Sequence, residues 1–162
     1  MALTDYCDFG EIREALGVND IELPDAALAL PVYEIGLVRE LSKLASALPA
    51  AFSTARQASP QDDQDKGLVD AVRLFSAYAV AKQAGASLAM RAPKDVGDGK
   101  ATLSRWAGTP YEDTMNGVRA QLADARAGLA EAWAAYNSVT LATPTPATFF
   151  MASPRASDPV TG

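Results

Sequence analysis

The stretch from Ser59 to Arg91 constrains the fold most, because it predicts a long helix that is apolar on almost every side. Ser59-Pro60 has the residue types of an N-cap followed by proline at the first helical position. Two apolar stripes then run at helical spacing, and a helix without a polar face has to be buried. We therefore predict that this helix is the hub against which the other helices pack. The stripes are Leu68, Val72, Phe75, Ala79 and Ala86, and Leu74, Tyr78, Ala81, Gly85 and Leu88.

A short helix is predicted near the N-terminus. Asp8-Phe9-Gly10-Glu11 has the residue pattern of a capping box, in which the aspartate caps the helix and the glutamate reaches back. Apolar residues then share one face, and Gly17 is a suitable C-terminal stop. The pattern predicts a first helix over residues 9–16.

Prolines divide the next segment. A second helix is expected to begin at Pro24-Asp25 and to kink or restart at Pro31, because proline removes an intrahelical donor. Pro49 is expected to end or kink this helix, and residues 50–58 to form a frayed turn or a loop. Between the prolines a leucine row at helical spacing predicts a packing seam, formed by Leu37, Leu41, Leu44 and Leu48.

The cleanest periodicity lies behind Thr109-Pro110-Tyr111-Glu112, which combines a cap, a proline and an N-terminal glutamate. Steps of three and four then form a heptad seam, which is typical of helices that pack nearly parallel to a neighbour. We predict an all-α fold for residues 1–139: a small antiparallel bundle of about four helices, with one long C-terminal helix. The seam is Met115, Val118, Leu122, Ala125, Leu129, Ala132, Tyr136 and Val139.

Residues 140–162 differ in character, because they are rich in proline, threonine and serine and almost free of charge. They predict an extended arm that could reach about 70 Å. Its apolar centre suits burial in a groove of a partner or addition to a partner's sheet edge; the alternative is an arm folded back on its own domain. The candidate partner-binding residues are Pro144, Pro146, Phe149, Phe150, Met151, Pro154 and Arg155.

Composition excludes several kinds of site. The 162 residues contain no histidine, which removes the commonest transition-metal ligand and the usual general base near neutral pH. Cys7 is the only cysteine, so no disulfide can form within the chain. The formal net charge is -6, which disfavours binding of nucleic acid by bulk electrostatics. We expect no metal, no cofactor and no catalytic residues, and no run long enough to span a membrane.

Two charged groups are candidates for contacts with a partner or with DNA. The irregular segment 94–106 turns at Gly97-Asp98-Gly99 and holds the densest basic patch, formed by Lys94, Lys100, Arg105 and Trp106. This patch is either tied down by salt bridges or contacts a subunit or a DNA phosphate. The second group is acidic and more typical of a solvated helix start than of a cation site; it comprises Asp62, Asp63 and Asp65.

Several of these motifs together resemble tailed-bacteriophage head-to-tail adaptor proteins, also called connector or head-completion proteins. The resemblance lies in residues 6–16 followed by Glu22-Leu23-Pro24-Asp25, in residues 92–100 leading to Ser104-Arg105-Trp106, and in the capped helix after Tyr111. It covers about residues 4–139. The arm is comparable in kind and not in its residues.

The resemblance implies a structural role at the head–tail junction of a virion, with assembly in the host cytoplasm. Such adaptors form rings of twelve copies beneath the portal protein, extend the DNA channel, help to retain the genome and present a surface for tail or nozzle proteins. Their C-terminal arms reach into the portal. The ring would contact passing double-stranded DNA without sequence specificity, and either charged group could face the channel.

Two alternatives remain open at this point. The first is a scaffold or regulatory binding module that offers the Leu37–Leu48 seam to a helical partner. The second is a cell-wall hydrolase that relies on carboxylates such as Glu11 and Glu34, because some head-completion proteins are linked to that activity. Nothing in the sequence localises a catalytic cleft, and we therefore expect no enzyme.

Overall fold

The computed structural model describes residues 2–91, 95–97, 102–104 and 109–142. Within these ranges the chain is helical apart from its connections and one pair of short strands, which confirms the all-α class. The described ranges contain six α-helices, where about four were expected. In chain order the elements are a 3-10 helix over Leu3–Asp5, α1 Phe9–Leu16, α2 Asp25–Leu28, α3 Pro31–Leu44, α4 Leu48–Gln57, α5 Asp63–Arg91, β1 Asp95–Gly97, β2 Thr102–Ser104 and α6 Thr109–Ala142.

Helix α1 has the predicted boundaries, and its local chemistry explains both of them. The Asp8 carboxylate accepts the Gly10 N–H at 3.1 Å, and the Glu11 carboxylate accepts the Asp8 N–H at 2.9 Å. These two bonds satisfy N–H groups that have no partner inside the helix. Gly17 ends the helix with a φ of 65°, a left-handed conformation that glycine adopts without steric cost.

Arg13 connects α1 to the segment that follows it. Its guanidinium donates to the Leu23 carbonyl at 2.8 Å and forms an ion pair with Asp25 at the start of α2. The Arg13 side chain is mostly buried, so its methylene groups also pack on the core. Arg13 thus ties the end of the connection to α1, while the Asn19 side chain accepts the N–H groups of Ile21 and Glu22 within it.

The prolines begin helices more often than they end them. Pro31 is the first residue of α3, which agrees with a restart at this point. The expectation for Pro49 and residues 50–58 is wrong, because Pro49 lies in the first turn of α4 and that helix continues to Gln57. A first-turn proline loses no intrahelical bond, and burial of Phe52 and Ala55 stabilises the rest of α4.

The start of α5 also differs from the prediction. Asp62, and not Ser59, caps this helix, since its carboxylate accepts the N–H groups of Gln64 at 2.9 Å and Asp65 at 2.7 Å. Asp62 directly precedes the helix, so its carboxylate can reach the unpaired N–H groups of the first turn. Ser59 lies three residues further upstream and caps them less well. The helix begins at Asp63 and ends at Arg91.

The centre of α5 is the hub that its sequence predicts. From Phe75 to Ala81 every residue is buried except Tyr78, which is half-buried. Helices α1, α3 and α4 contact α5, and α6 contacts it along most of its length. The prediction is wrong at two stripe positions, because Leu74 and Ala86 are exposed to solvent.

Helices α5 and α6 run antiparallel. The Tyr111 hydroxyl, near the start of α6, donates to the Gly85 carbonyl at 2.7 Å, near the end of α5. Gly67, near the start of α5, lines a groove with Gly128, far along α6. In the sequence between α5 and α6, strands β1 and β2 pair antiparallel, with Val96 opposite Leu103.

The heptad seam of α6 faces the core as predicted from Met115 to Tyr136, and the side chain of its last member, Val139, lies outside the described residues. Met115, Val118, Ala125 and Leu129 are buried, and Leu122, Ala132 and Tyr136 are partly buried. The helix runs to Ala142, so residues 140–142 belong to it and not to an extended arm. No proline occurs between Pro110 and Pro144, and the helix therefore meets no local stop at position 140.

Candidate interaction surfaces

Two of the three predicted groups fall outside the described residues. The arm residues Pro144, Pro146, Phe149, Phe150, Met151, Pro154 and Arg155 all follow Ala142, where the description ends. The basic patch, Lys94, Lys100, Arg105 and Trp106, lies in the gaps around β1 and β2. The expectations for both groups therefore remain predictions.

The acidic group lies at the N-terminus of α5, where its members have local roles. Asp62 caps the helix through two backbone N–H groups. Asp63 is exposed, with its carboxylate 3.8 Å from the Lys66 ammonium. These contacts suit a solvated helix start, and the three carboxylates do not converge on a common point in any contact within the described residues.

An apolar groove opens between the first half of α5 and the second half of α6. Its volume is about 320 Å³. Leu74 lines it with 53% of its surface exposed, a high value for a large apolar side chain in the centre of a bundle. The walls are otherwise built mostly from small residues, and the lining is Gly67, Ala71, Leu74, Gln121, Asp124, Ala125, Gly128, Leu129 and Ala132.

A second apolar surface lies at the start of α3. Val32 and Ile35 are 62% and 67% exposed, and Leu30, which precedes the helix, is 41% exposed. Val32, Ile35 and Arg39 follow one another at helical spacing and define the exposed stripe of α3. Sequence reasoning missed this stripe because it followed the leucine row. The sequence contained a signal for this stripe, since Val32 and Ile35 are apolar and lie on a different face of the helix from the leucine row.

A groove of about 480 Å³ lies between α1 and α5, where Leu74, which also lines the α5–α6 groove, and other apolar residues accompany the charged Glu11, Glu14, Asp70 and Arg73. The Glu11 carboxylate accepts from Arg73 at 3.1 Å while it also closes the capping box of α1. Glu34 does not line this groove. Glu11 is therefore committed to structural contacts, and the two carboxylates named for a hydrolase do not share a cleft.

The region around Cys7 shows how the N-terminal segment is held. The Tyr6 ring stacks on Phe52 of α4, with ring centroids 5.1 Å apart. Arg56 donates to the Asp5 carboxylate at 2.7 Å, and this hydrogen bond lowers the pKa of that carboxyl group. Burial, assisted by the negative charge of Glu11, raises the pKa of the Cys7 thiol to about 12. A thiol with this pKa is protonated at neutral pH and is not a nucleophile.

No protein-family model, curated protein or solved structure matches this chain. The functional interpretation therefore rests on the geometry of the described residues. Among the described residues, no three side chains of the metal-ligating types come together as an ion site. None of the helices in the described ranges is both long enough and apolar enough to cross a membrane.

Proposed function

We propose that this protein is a structural, non-enzymatic adaptor that assembles into a ring at the head–tail junction of a tailed bacteriophage. The observation that supports this most is the pair of exposed apolar surfaces on a chain that already has a complete core. Val32 and Ile35 project from α3, and Leu74 projects into the groove between α5 and α6. Large apolar side chains left exposed in this way mark surfaces that other molecules cover.

The charge of the chain suits a channel wall. A net charge of -6 would repel the phosphates of passing DNA, so that the duplex is not retained by contact with the wall. In this proposal the ring contacts DNA without sequence specificity. The acidic group of Asp62, Asp63 and Asp65 is one candidate for the channel face, and the basic patch around Lys100 is the other.

The arm supplies the attachment to the portal. Helix α6 runs to Ala142, and 20 residues follow it. An extended chain of this length reaches up to about 70 Å, far enough to leave the subunit and enter a neighbouring protein. We infer that the apolar cluster Phe149-Phe150-Met151 is the part of the arm that the portal buries.

The first prediction concerns the arm. Deletion of residues 143–162 removes no part of α6, so the circular dichroism spectrum should retain its helical signal. Attachment to DNA-filled heads that lack this protein should fall by about tenfold or more, because the apolar anchor is gone. Co-sedimentation of purified protein with such heads measures the effect.

A pair of full-length variants separates the anchor from the length of the arm. Replacement of Phe149, Phe150 and Met151 by serine should abolish attachment, whereas Val160→Ser, a matched apolar-to-serine change outside the cluster, should leave it intact. Normal attachment by the deletion variant would contradict the proposed role of the arm.

The alternatives have less support from the described residues. Leu37, Leu41 and Leu48 are fully buried in the core of the chain, so the leucine row is not exposed to a helical partner. Glu11 and Glu34 do not line a common groove. We therefore place neither a partner-binding seam nor a hydrolytic pair at these residues.

A further inference from the structure

We propose that neighbouring copies join head to tail, with the exposed stripe of α3 on one copy seated in the α5–α6 groove of the next. This inference rests on the proposed ring and identifies the two surfaces that close it. The stripe consists of Val32, Ile35 and Arg39, and the groove is the one lined by Leu74, Asp124 and Gly128.

The two surfaces match in size and polarity. Val32 to Arg39 spans about 10 Å of helix, and Gly67 to Leu74, one wall of the groove, also spans about 10 Å. Val32 and Ile35 are branched apolar side chains that stand out from their helix, and the groove offers an apolar floor with about 320 Å³ of open space. Projecting branched residues and a groove of small ones are the two halves of a ridge-into-groove contact.

The glycines of the groove permit a close approach of another helix. A Cβ atom added at Gly67 or at Gly128 would meet no other atom within 4 Å, so nothing in the described residues of the chain itself requires glycine at either position. Glycine in the middle of a helix is unfavourable compared with alanine. Gly117, outside the groove, is open in the same way, so the groove glycines permit a close helix approach without requiring it.

Charge fixes the direction of the contact. Arg39 lies on the exposed stripe of α3 one turn beyond Ile35, and Asp124 lines the groove at its Leu74 end. Both side chains are exposed, and among the described residues neither forms an ion pair. Seating α3 with Val32 towards Gly128 and Ala132 brings Arg39 beside Asp124. The reverse direction would place the guanidinium at the far end of the groove.

The surfaces lie on opposite flanks of the α5–α6 pair. Glu40 of α3 lines a cleft with Leu122 and Arg126 of α6, whereas the groove opens beside Asp124 and Gly128. Positions two residues apart on a helix differ by about 200° around its axis. A subunit that carries complementary surfaces on opposite flanks forms a heterologous contact and not an isologous dimer, and such a contact closes into a ring when the rotation between copies divides a full turn.

Charge exchange tests the pairing. Arg39→Asp and Asp124→Arg should each weaken self-association of the full chain by about tenfold or more, and the double variant should recover most of it. Sedimentation velocity over a range of protein concentrations measures the association, and circular dichroism checks the fold. Ile21→Asp and Arg119→Asp are exposed changes outside both surfaces, and they should assemble as the unmodified chain does.

Cysteine cross-linking provides an independent measurement. With Cys7 buried and its thiol protonated, Ile35→Cys combined with Gly128→Cys should give a ladder of disulfide-linked oligomers under mild oxidation. Either substitution alone should give almost none. Efficient dimers from Ile35→Cys alone would indicate an isologous contact and would overturn the inference.

The outcomes separate this inference from the proposed function. A monomer at all concentrations, or single charge variants that assemble normally, would overturn the interface. If the variants assemble normally and attachment to heads still requires the arm, the adaptor function stands with a different interface. If the charge exchange succeeds and the protein does not attach to heads, the interface stands and the adaptor function fails.

Discussion

Ser76 lies at the centre of the hub helix, and its hydroxyl is the one buried side-chain polar atom without a hydrogen-bond partner among the described residues. A buried hydroxyl without a partner loses its hydrogen bonds to water and gains nothing in return. Ser87, on the same helix, differs because its hydroxyl donates to the Ala84 carbonyl at 2.8 Å. The two serines therefore form a natural comparison.

We expect Ser76→Ala to stabilise the protein by about 1 kcal/mol, since it removes a desolvated group and changes the volume little. Ser87→Ala, the matched control, should destabilise it by about 0.5 kcal/mol because a bond is lost. Urea unfolding followed by circular dichroism gives both values. A destabilised Ser76→Ala variant would mean that the hydroxyl has a partner after all.

Cys7 couples stability to alkaline pH. Burial raises the pKa of its thiol from 9.0 to about 12, so the folded chain retains a proton that the unfolded chain loses. The contribution to stability is complete below pH 9 and is lost as pH rises towards 12, at roughly 1.4 kcal/mol per pH unit. We expect Cys7→Ala to lack this part of the alkaline decline.

The measurement compares the free energy of unfolding of the two proteins between pH 8 and pH 11. All other groups are the same in both proteins, so the difference between the curves isolates the thiol. Parallel curves would show that folding does not shift the pKa of the thiol, which its 2% exposure argues against.

At the scale of elements, three helices approach one another closely at Gly85. A Cβ there would lie 2.6 Å from the Met115 Sδ and 3.1 Å from the Leu16 Cδ2. Both neighbours are buried, so the methionine cannot move away without displacing other core atoms. Gly85 thus allows α1, α5 and α6 to meet at one point.

We expect Gly85→Ala to destabilise the protein by about 1–3 kcal/mol, because an extra methyl group overpacks this crossing. Gly117→Ala is the control, since a Cβ at Gly117 meets nothing within 4 Å, and this variant should gain about 0.5–1 kcal/mol from helix propensity. Thermal unfolding of the two variants distinguishes them by sign. Equal shifts would show that the crossing can relax.

The boundaries of a helix were predictable from the sequence where a local motif determines them. The capping box of Asp8 and Glu11 and the stop at Gly17 define α1 through bonds within a few residues. Pro49 shows the limit of this reasoning, because proline suits the first turn of a helix as well as its end. Burial of Phe52 against Tyr6, which is remote in sequence, decides in favour of α4.

At the scale of the whole molecule, the residues that the structure describes form one core around the centre of α5 and leave two apolar surfaces uncovered. The stripe of α3 and the groove between α5 and α6 arise from elements that are far apart in the sequence. Because the two surfaces lie on opposite flanks, copies of the chain can join head to tail, as a ring requires. The adaptor proposal thus depends on tertiary structure at least as much as on the motifs that first indicated it.

By itself, the sequence determined the all-α class, the boundaries of α1 and the core-facing seam of α6, because caps and helical periodicity act within one element. Only the tertiary structure decided that Asp62 caps α5, that residues 48–57 form a helix and that Leu74 is exposed. These outcomes depend on which neighbour covers a given face of a helix. An apolar residue is buried only when another element packs on it, and the amino-acid pattern of a single helix does not contain that information.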